Sequence, residues 1–348
     1  VRIRRGRAQE RFTTSMSHPR RAAIDAGEAP VVLITFPDYD TDHPQHGGAL
    51  TAAGCIMRIA PKRGLRSPDE LLDLCADAAG AIVSTDPFTA DVLRSSPGLQ
   101  VIARVGVGID SIDMTAATEL GIAVTTTPGA NEETVADHAI AMMLAVLRRI
   151  PEHDAGVRRG EWNRTGPHTP LLLTGSTVGL IGYGNIGRLV ARRLAGFDVE
   201  LLVTDPALTG SESPRAVELD ELLARADVVS MHCPLIPATR NLIDQRTLKL
   251  MQPHAILINT SRGGVVDETA LIQALRDGVI AGAALDVFEV EPPHDSPLLA
   301  MPNVVVSPHV GGLSTKSVDV MTRRATASVI EVLAGRVPDG LANPAILD

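Results

Sequence analysis

The chain is predicted to fold as two doubly wound α/β units. From Val31 onward, apolar runs of strand length alternate with amphipathic runs of helix length, as the layers of an α/β protein require. With 348 residues and 45% hydrophobic content, the chain has length and apolar material for two cores rather than one. The stretch Val178-Gly-Leu-Ile-Gly-Tyr-Gly-Asn-Ile-Gly187 then reads as a buried strand entering a glycine turn, followed by a helix-compatible run, Arg188 to Leu194.

Taken in order, the first series has candidate strands at Val31–Thr35, Cys55–Ile59, Ala81–Ser84, Val101–Arg104 and Ile122–Thr125. Between them, Pro68–Ala76 reads as a helix, with Ser67 as N-cap and Pro68 and Asp69 suited to its first turn. Thr115–Leu120 is a second helical run, and the loop Phe36–His46 is a candidate to face a substrate. After the turn signal Pro128-Gly129, the nearly continuous apolar run Val135–Leu147 predicts a buried helix bridging two domains. A polar segment, Glu152–Pro170, follows and holds the only tryptophan, Trp162. The second series has strands at Val178–Ile181, Leu201–Thr204, Val228–His232, Ala255–Asn259, Ala283–Val287 and Val304–Ser307. Gly311-Gly312 offers a hinge before a final helical run, Thr315–Leu333. No internal repeat or low-complexity tract interrupts this order.

Composition excludes several classes. A net charge of −9 gives the body no nucleic-acid-binding signature, and a 2% aromatic fraction offers no stacking platform. No apolar run approaches the length of a membrane helix. Three widely spaced cysteines, Cys55, Cys75 and Cys233, fit a reducing, cytoplasmic setting, and no clustered His/Cys spacing points to a metal. Arg2, Arg4, Arg5, Arg7, Arg11, Arg20 and Arg21 stand against one acid, Glu10, with no hydrophobic periodicity. Residues 1–23 are therefore read as a disordered extension, dispensable up to a start at Met16.

The glycine turn has a specific chemistry. Gly182 permits the turn, Gly184 lets a pyrophosphate approach the backbone, and Gly187 lets helix and strand pack closely. The helix N-terminus that follows offers N–H groups and a positive dipole end to phosphate. The next apolar run, Glu200–Thr204, ends at Asp205, 205 − 187 = 18 residues beyond the last glycine. An acid there accepts hydrogen bonds from a ribose 2′-hydroxyl and repels a 2′-phosphate, so the implied cofactor is NAD rather than NADP.

Three further motifs sit where strands of the second series end, the edge at which open α/β sheets bind ligands. Asn259-Thr-Ser-Arg-Gly-Gly264 places Arg262 beside two glycines, where a guanidinium can hold a carboxylate by two parallel hydrogen bonds. Leu285-Asp-Val-Phe-Glu-Val-Glu-Pro-Pro293 offers Asp286, Glu289 and Glu291, any of which is able to orient a histidine. Ser307-Pro-His-Val-Gly-Gly312 puts His309 at a strand end as a proton shuttle. The other histidines, including His138, His168, His232 and His254, lack such a context.

These motifs, in this order, together with His232-Cys-Pro-Leu235 and Thr239-Arg240, resemble those of the D-isomer-specific 2-hydroxyacid dehydrogenases over about Val31 to Pro344. Ala103-Arg-Val-Gly-Val-Gly-Ile-Asp110 and Thr127-Pro-Gly-Ala-Asn131 match upstream family segments. The resemblance implies a nucleotide domain, residues 128–311, inserted into a flavodoxin-like substrate domain, residues 24–127 and 312–348, and a homodimer formed through the nucleotide domains. It implies Arg262 as binder of the substrate carboxylate and carbonyl, His309 as acid/base, and Glu291 as the partner that stabilises the charged ring; 291 − 262 = 29 and 309 − 291 = 18 agree with family spacings. NAD contacts are implied at Tyr183, Gly184, Asn185, Ile186, Asp205, His232, Cys233, Pro234, Thr239, Thr260, Ser261, Asp286 and Gly311. Arg104 and the backbone of Val105, Gly106, Val107 and Gly108 are implied to hold the substrate carboxylate.

Within the family, the chain is similar to hydroxypyruvate and glyoxylate reductases and to phosphoglycerate dehydrogenases. Where the phosphoglycerate enzymes are basic, Val83 and Pro87 stand, and Asp86 adds negative charge; a small unphosphorylated 2-keto acid is favoured. Arg63 or Arg66 remain alternative sources of cation. A second class, NAD(H)-sensing proteins resembling C-terminal-binding corepressors, shares the Glu132–His138 segment but has no need of an intact triad. Formate-type or phosphonate-type hydride transfer fits poorly.

Overall fold

The computed structural model describes residues 29–62, 66–166, 169–208 and 215–347. The predicted extension, Arg63 and His168 lie outside the described residues. The chain divides into two compact units: the first ends at Ala130 and resumes at Val318, and the second runs Asn131–Ser317.

In the first unit, β1 (Val31–Ile34), α1 (Gly47–Ala52), β2 (Ile56–Ile59), α2 (Pro68–Cys75), β3 (Ala78–Val83), α3 (Ala90–Arg94), β4 (Val101–Arg104), α4 (Met114–Glu119) and β5 (Ala123–Thr125) follow in order. The strands form a parallel sheet ordered β2-β1-β3-β4-β5, the flavodoxin-like doubly wound arrangement. Alternate side chains feed two cores. Leu33, Ala81, Val83 and Ile102 pack on one face with residues of α2 to α4, and Val32, Ile34, Ile82, Val101 and Ala103 pack on the other. β3 begins three residues earlier than the apolar pattern predicts. Ala78, Ala79 and Gly80 have little strand propensity of their own, but pairing with both β1 and β4 overrides it. Ser67 caps α2 as the sequence predicts: its hydroxyl accepts from the Glu70 N–H, and Glu70 accepts from the Ser67 N–H in return. The chain end returns to this unit, where Asn343 accepts from Val124 N–H and donates to the Ile122 carbonyl.

In the second unit, α5 (Glu132–Leu147), α6 (Ile150–Arg158), β6 (Thr177–Ile181), α7 (Asn185–Leu194), β7 (Glu200–Thr204), β8 (Arg215–Ala216), α8 (Leu219–Arg225), β9 (Val228–Met231), α9 (Gln245–Leu248), β10 (Ile256–Asn259), α10 (Glu268–Arg276), β11 (Gly282–Leu285) and β12 (Val304–Val306) precede α11 (Thr315–Leu333). The parallel sheet is ordered β12-β11-β10-β9-β6-β7-β8, so strand order reverses between β6 and β9, as in a Rossmann fold. α5 buries Val135, Ala139, Met142, Met143 and Val146 against it. The segment from Glu152, read from sequence as polar with no element assigned, opens within α6. That helix buries only Gly156 and is laced by Asp154–Arg158 and Arg149–Glu152 ion pairs, so it carries no apolar stripe to announce it. Among the described residues, no helix is long and apolar enough to cross a membrane.

Candidate active site

At the end of β6 the three glycines of the turn do three different things. Gly182 has φ +97°, and a Cβ there would lie 2.7 Å from the His232 carbonyl. Gly187 sits where a Cβ would meet the Gly182 carbonyl oxygen at 2.3 Å, which fixes the close packing of α7 on β6. At Gly184, the N-cap of α7, a Cβ would meet no protein atom within 4 Å, so the space above this backbone is open. Asn185 and Ile186 follow as the first turn of α7. Asp205, beyond β7, accepts from the Tyr183 N–H at 2.6 Å and the Ala207 N–H at 2.8 Å, which sets its carboxylate beside the turn.

The acid/base pair lies at the ends of β11 and β12. His309 Nδ1 and Glu291 Oε2 are 2.7 Å apart; a carboxylate only accepts, so Nδ1 carries a proton and Nε2 is the atom left for exchange. The other Glu291 oxygen accepts from the Phe288 N–H at 3.1 Å. His309 itself is in the left-handed region, φ +54°, held there by its N–H bond to the Asp286 carbonyl.

Asp286 is the organiser of that loop. It is 1% exposed, and its carboxylate accepts from Ser307 Oγ at 2.6 Å, Val310 N–H at 2.9 Å and Gly311 N–H at 2.8 Å. Burial alone would raise its proton affinity, but bonds from His138, Ser307, Gly311 and Val310 outweigh this and hold the carboxyl below its ordinary range. A Cβ on Gly311 would sit 2.8 Å from Asp286 Oδ2, so this contact needs glycine. Asp286 and Gly311, implied as cofactor contacts, are thus tied to each other in positioning His309. His138, set aside in the sequence, belongs to the same network: its Nε2 lies 2.9 Å from Ser307 Oγ and 3.3 Å from Asp286 Oδ1. Its partner is 169 residues away, which leaves no local signal.

Arg262 follows β10 in extended backbone, with Asn259 donating to its carbonyl and its own guanidinium donating to Ser261 O. Asn259 Oδ1 also accepts from the Ser261 N–H and hydroxyl. A Cβ on Gly263 would fall 1.9 Å from the Phe288 carbonyl group, so the glycine lets the Arg262 turn abut the segment leading to Glu291. Thr260 is buried, and its hydroxyl has no hydrogen-bond partner among the described residues.

His232, after β9, has its imidazole pushed down to about 4 by burial, with Nε2 2.9 Å from Ser230 Oγ. It is neutral at neutral pH and ill suited to be a proton donor. Burial pushes the Cys233 thiol up to about 11. Thr239 closes the turn that begins at Pro234, accepting from the Ile236 N–H and donating to the Pro234 carbonyl.

In the first unit, several groups of the loop implied to hold the carboxylate bond to the protein itself. The Val105 N–H is spent on Val83 O, and the Gly106 N–H faces Arg104 O and Thr127 Oγ1. Among the described residues, only Val107 and Gly108 in this loop lack a protein acceptor for the N–H. The Arg104 guanidinium folds back onto the carbonyls of Val105 and Gly108. The phosphate argument also changes. Val83 is fully buried in the core rather than lining a pocket. Asp86 is 9% exposed, accepts from Thr35 Oγ1 at 2.6 Å and pairs with Arg66 at 2.9 Å, so neither charge is offered to a substrate.

The open backbone at Gly184, the N-terminus of α7, the placed carboxylate of Asp205 and the unpartnered Thr260 hydroxyl fit a dinucleotide. The comparisons agree. Residues 140–311 match the NAD-binding domain of the D-isomer specific 2-hydroxyacid dehydrogenases. The chain is 40% identical over 304 residues to the glyoxylate reductase of Thermococcus litoralis, covering 83% of this chain and 89% of that protein. It is 38% identical over 306 residues to the D-3-phosphoglycerate dehydrogenase of Methanocaldococcus jannaschii, covering 86% of this chain but 58% of that protein. Its fold superposes on the NADPH-dependent glyoxylate/hydroxypyruvate reductase of Sinorhizobium meliloti with a TM-score of 0.77 at 31% identity, covering 90% of this chain and 98% of that one.

Proposed function

The chain belongs to the D-isomer specific 2-hydroxyacid dehydrogenase family, and we propose that it reduces glyoxylate or hydroxypyruvate to the corresponding 2-hydroxy acid with NADH. The observation that carries the chemistry is the 2.7 Å pair between His309 Nδ1 and Glu291, with Arg262 on the neighbouring turn. A bound nicotinamide supplies the hydride to C2 of the keto acid. The protein's own groups do the rest. His309 gives a proton from Nε2 to the developing alkoxide, and Glu291 stabilises the imidazolium that does so. Arg262 binds the carboxylate and stabilises charge growing on the carbonyl oxygen. In the oxidising direction His309 accepts the hydroxyl proton. An NAD(H) sensor without turnover would have no use for the His309–Glu291 pair.

Asp205 supports NADH over NADPH, since a 2′-phosphate would meet its carboxylate. The substrate choice rests on the glyoxylate-reductase relative rather than on the Val83–Pro87 segment. The phosphoglycerate relative supports a second reading, oxidation of 3-phosphoglycerate. Three free thiols, two of them buried, support a cytoplasmic enzyme, and the family resemblance supports a homodimer. Steady-state kinetics with glyoxylate, hydroxypyruvate and 3-phosphohydroxypyruvate separate the readings. We expect higher kcat/KM for an unphosphorylated acid. A tenfold preference for the phosphorylated acid, about 1.4 kcal/mol, establishes the second reading instead.

A further inference from the structure

His43 and His46 lie in the loop before α1, and Asp319 lies on α11; all three belong to the first unit. His46 Nε2 is 3.2 Å from Asp319 Oδ1, and His43 Nε2 is 3.9 Å from the same oxygen. One ligand atom from each residue lies within 4.8 Å of the others. His46 is 5% exposed, yet neither ring nitrogen makes a hydrogen bond among the described residues. Asp319 is the carboxylate that approaches this ring, at 3.2 Å. Two atoms bound to one tetrahedral zinc, each about 2.0–2.1 Å from it, stand roughly 3.4 Å apart. A buried imidazole facing a carboxylate and a second imidazole at such spacings is the arrangement a cation would satisfy.

We propose that His43, His46 and Asp319 form a site for one divalent transition-metal ion of the zinc type, with water as fourth ligand. Two imidazoles and one carboxylate select zinc, nickel or copper over magnesium or calcium, which prefer all-oxygen sites. The loop is built to hold the ligands. Asp40 accepts from the N–H groups of Asp42 and His43, and the His46 N–H donates to the His43 carbonyl. Gly47 permits the tight return, since a Cβ there would fall 2.0 Å from the Thr41 carbonyl oxygen. Ligation through Nε2 puts the remaining proton of His43 on Nδ1, so the 3.2 Å contact from the Gln45 N–H is given up on binding. The ion would clip the loop to α11, joining positions 319 − 46 = 273 residues apart. That separation, and the absence of a cysteine among the three ligands, explains why ligand spacing in the sequence gives no metal signal.

The test is calorimetric titration of chelator-treated full-length protein with Zn²⁺ and with Mg²⁺, paired with elemental analysis after dialysis. We expect one Zn²⁺ per chain, no Mg²⁺, and a higher melting temperature with Zn²⁺. His46→Ala and Asp319→Asn should each weaken Zn²⁺ binding by about tenfold or more and remove the thermal shift. Asp319 is partly exposed, so Asp319→Asn tests the site even where His46→Ala fails to fold by circular dichroism. Unchanged Zn²⁺ affinity in Asp319→Asn, no Zn²⁺ uptake by the wild type, or loss of uptake in Cys55→Ser with Asp319→Asn unaffected overturns the proposal.

Discussion

At the carboxyl edge of the second sheet, His309 is aimed by Glu291 through Nδ1 and its loop is held by Asp286. At the carboxyl edge of the first sheet, Arg66 and Asp86 neutralise each other and the Arg104 guanidinium bonds its own loop. Both edges are rich in residues that chemistry uses. In the second unit one buried polar group positions another that is partly open; in the first, the charged groups close on one another. A motif therefore carries over the identity of a residue, while its neighbours decide whether it is offered to a ligand.

The contrast breaks most visibly at Val83. Were this position a pocket wall, Val83→Arg would add a cation for a phosphorylated substrate. Because it is core, we expect an unpaired buried charge to cost about 3–5 kcal/mol, measured as loss of cooperative folding in urea. A folded variant with raised activity on 3-phosphohydroxypyruvate would show that Val83 faces the substrate after all.

The second unit should respond in rate rather than in fold. His309→Ala should lower kcat by about 10²–10⁴ with little change in melting temperature. Near-wild-type turnover would leave the proton transfer without an agent, since His232 is neutral in the working range.

His232 sharpens the comparison through pH. Its folded pKa, about 4, lies below the ordinary 6.5, so the unfolded chain binds the extra proton between these values. Its contribution to stability is complete above pH 6.5 and is lost as pH falls toward 4. The shift corresponds to a loss of about 1–2 kcal/mol after allowance for solvent screening. Urea denaturation from pH 7 to 4 should show a steeper fall for wild type than for His232→Gln; identical slopes would remove His232 from the acid response.

The smallest effect concerns Asp205. Asp205→Ala should narrow the preference for NADH over NADPH by about tenfold, ~1.4 kcal/mol, in kcat/KM. A wild type that uses NADPH equally well would show that the two N–H groups already on this carboxylate exhaust its role.

Much of this was legible in the chain itself. The alternation of apolar runs of strand length with amphipathic runs of helix length placed the α/β series, and the glycine turn and Asp205 identified the nucleotide edge, because both depend on residues near each other in sequence. His309, Glu291 and Arg262 were named by resemblance to family motifs, and the structure sets His309 and Glu291 within hydrogen-bond distance. The two-residue β8 and the exposed α6 were not, since neither carries enough buried apolar residues to set a period. Nor could sequence show that His138 joins Ser307 and Asp286, that Arg66 cancels Asp86, or that Asp319 meets His43 and His46. Such contacts close over tens to hundreds of residues, and only packing decides which polar groups are left facing one another. The sequence determined which chemical groups the protein has and where each strand presents them; the tertiary structure decided which are spent internally and which remain for a ligand.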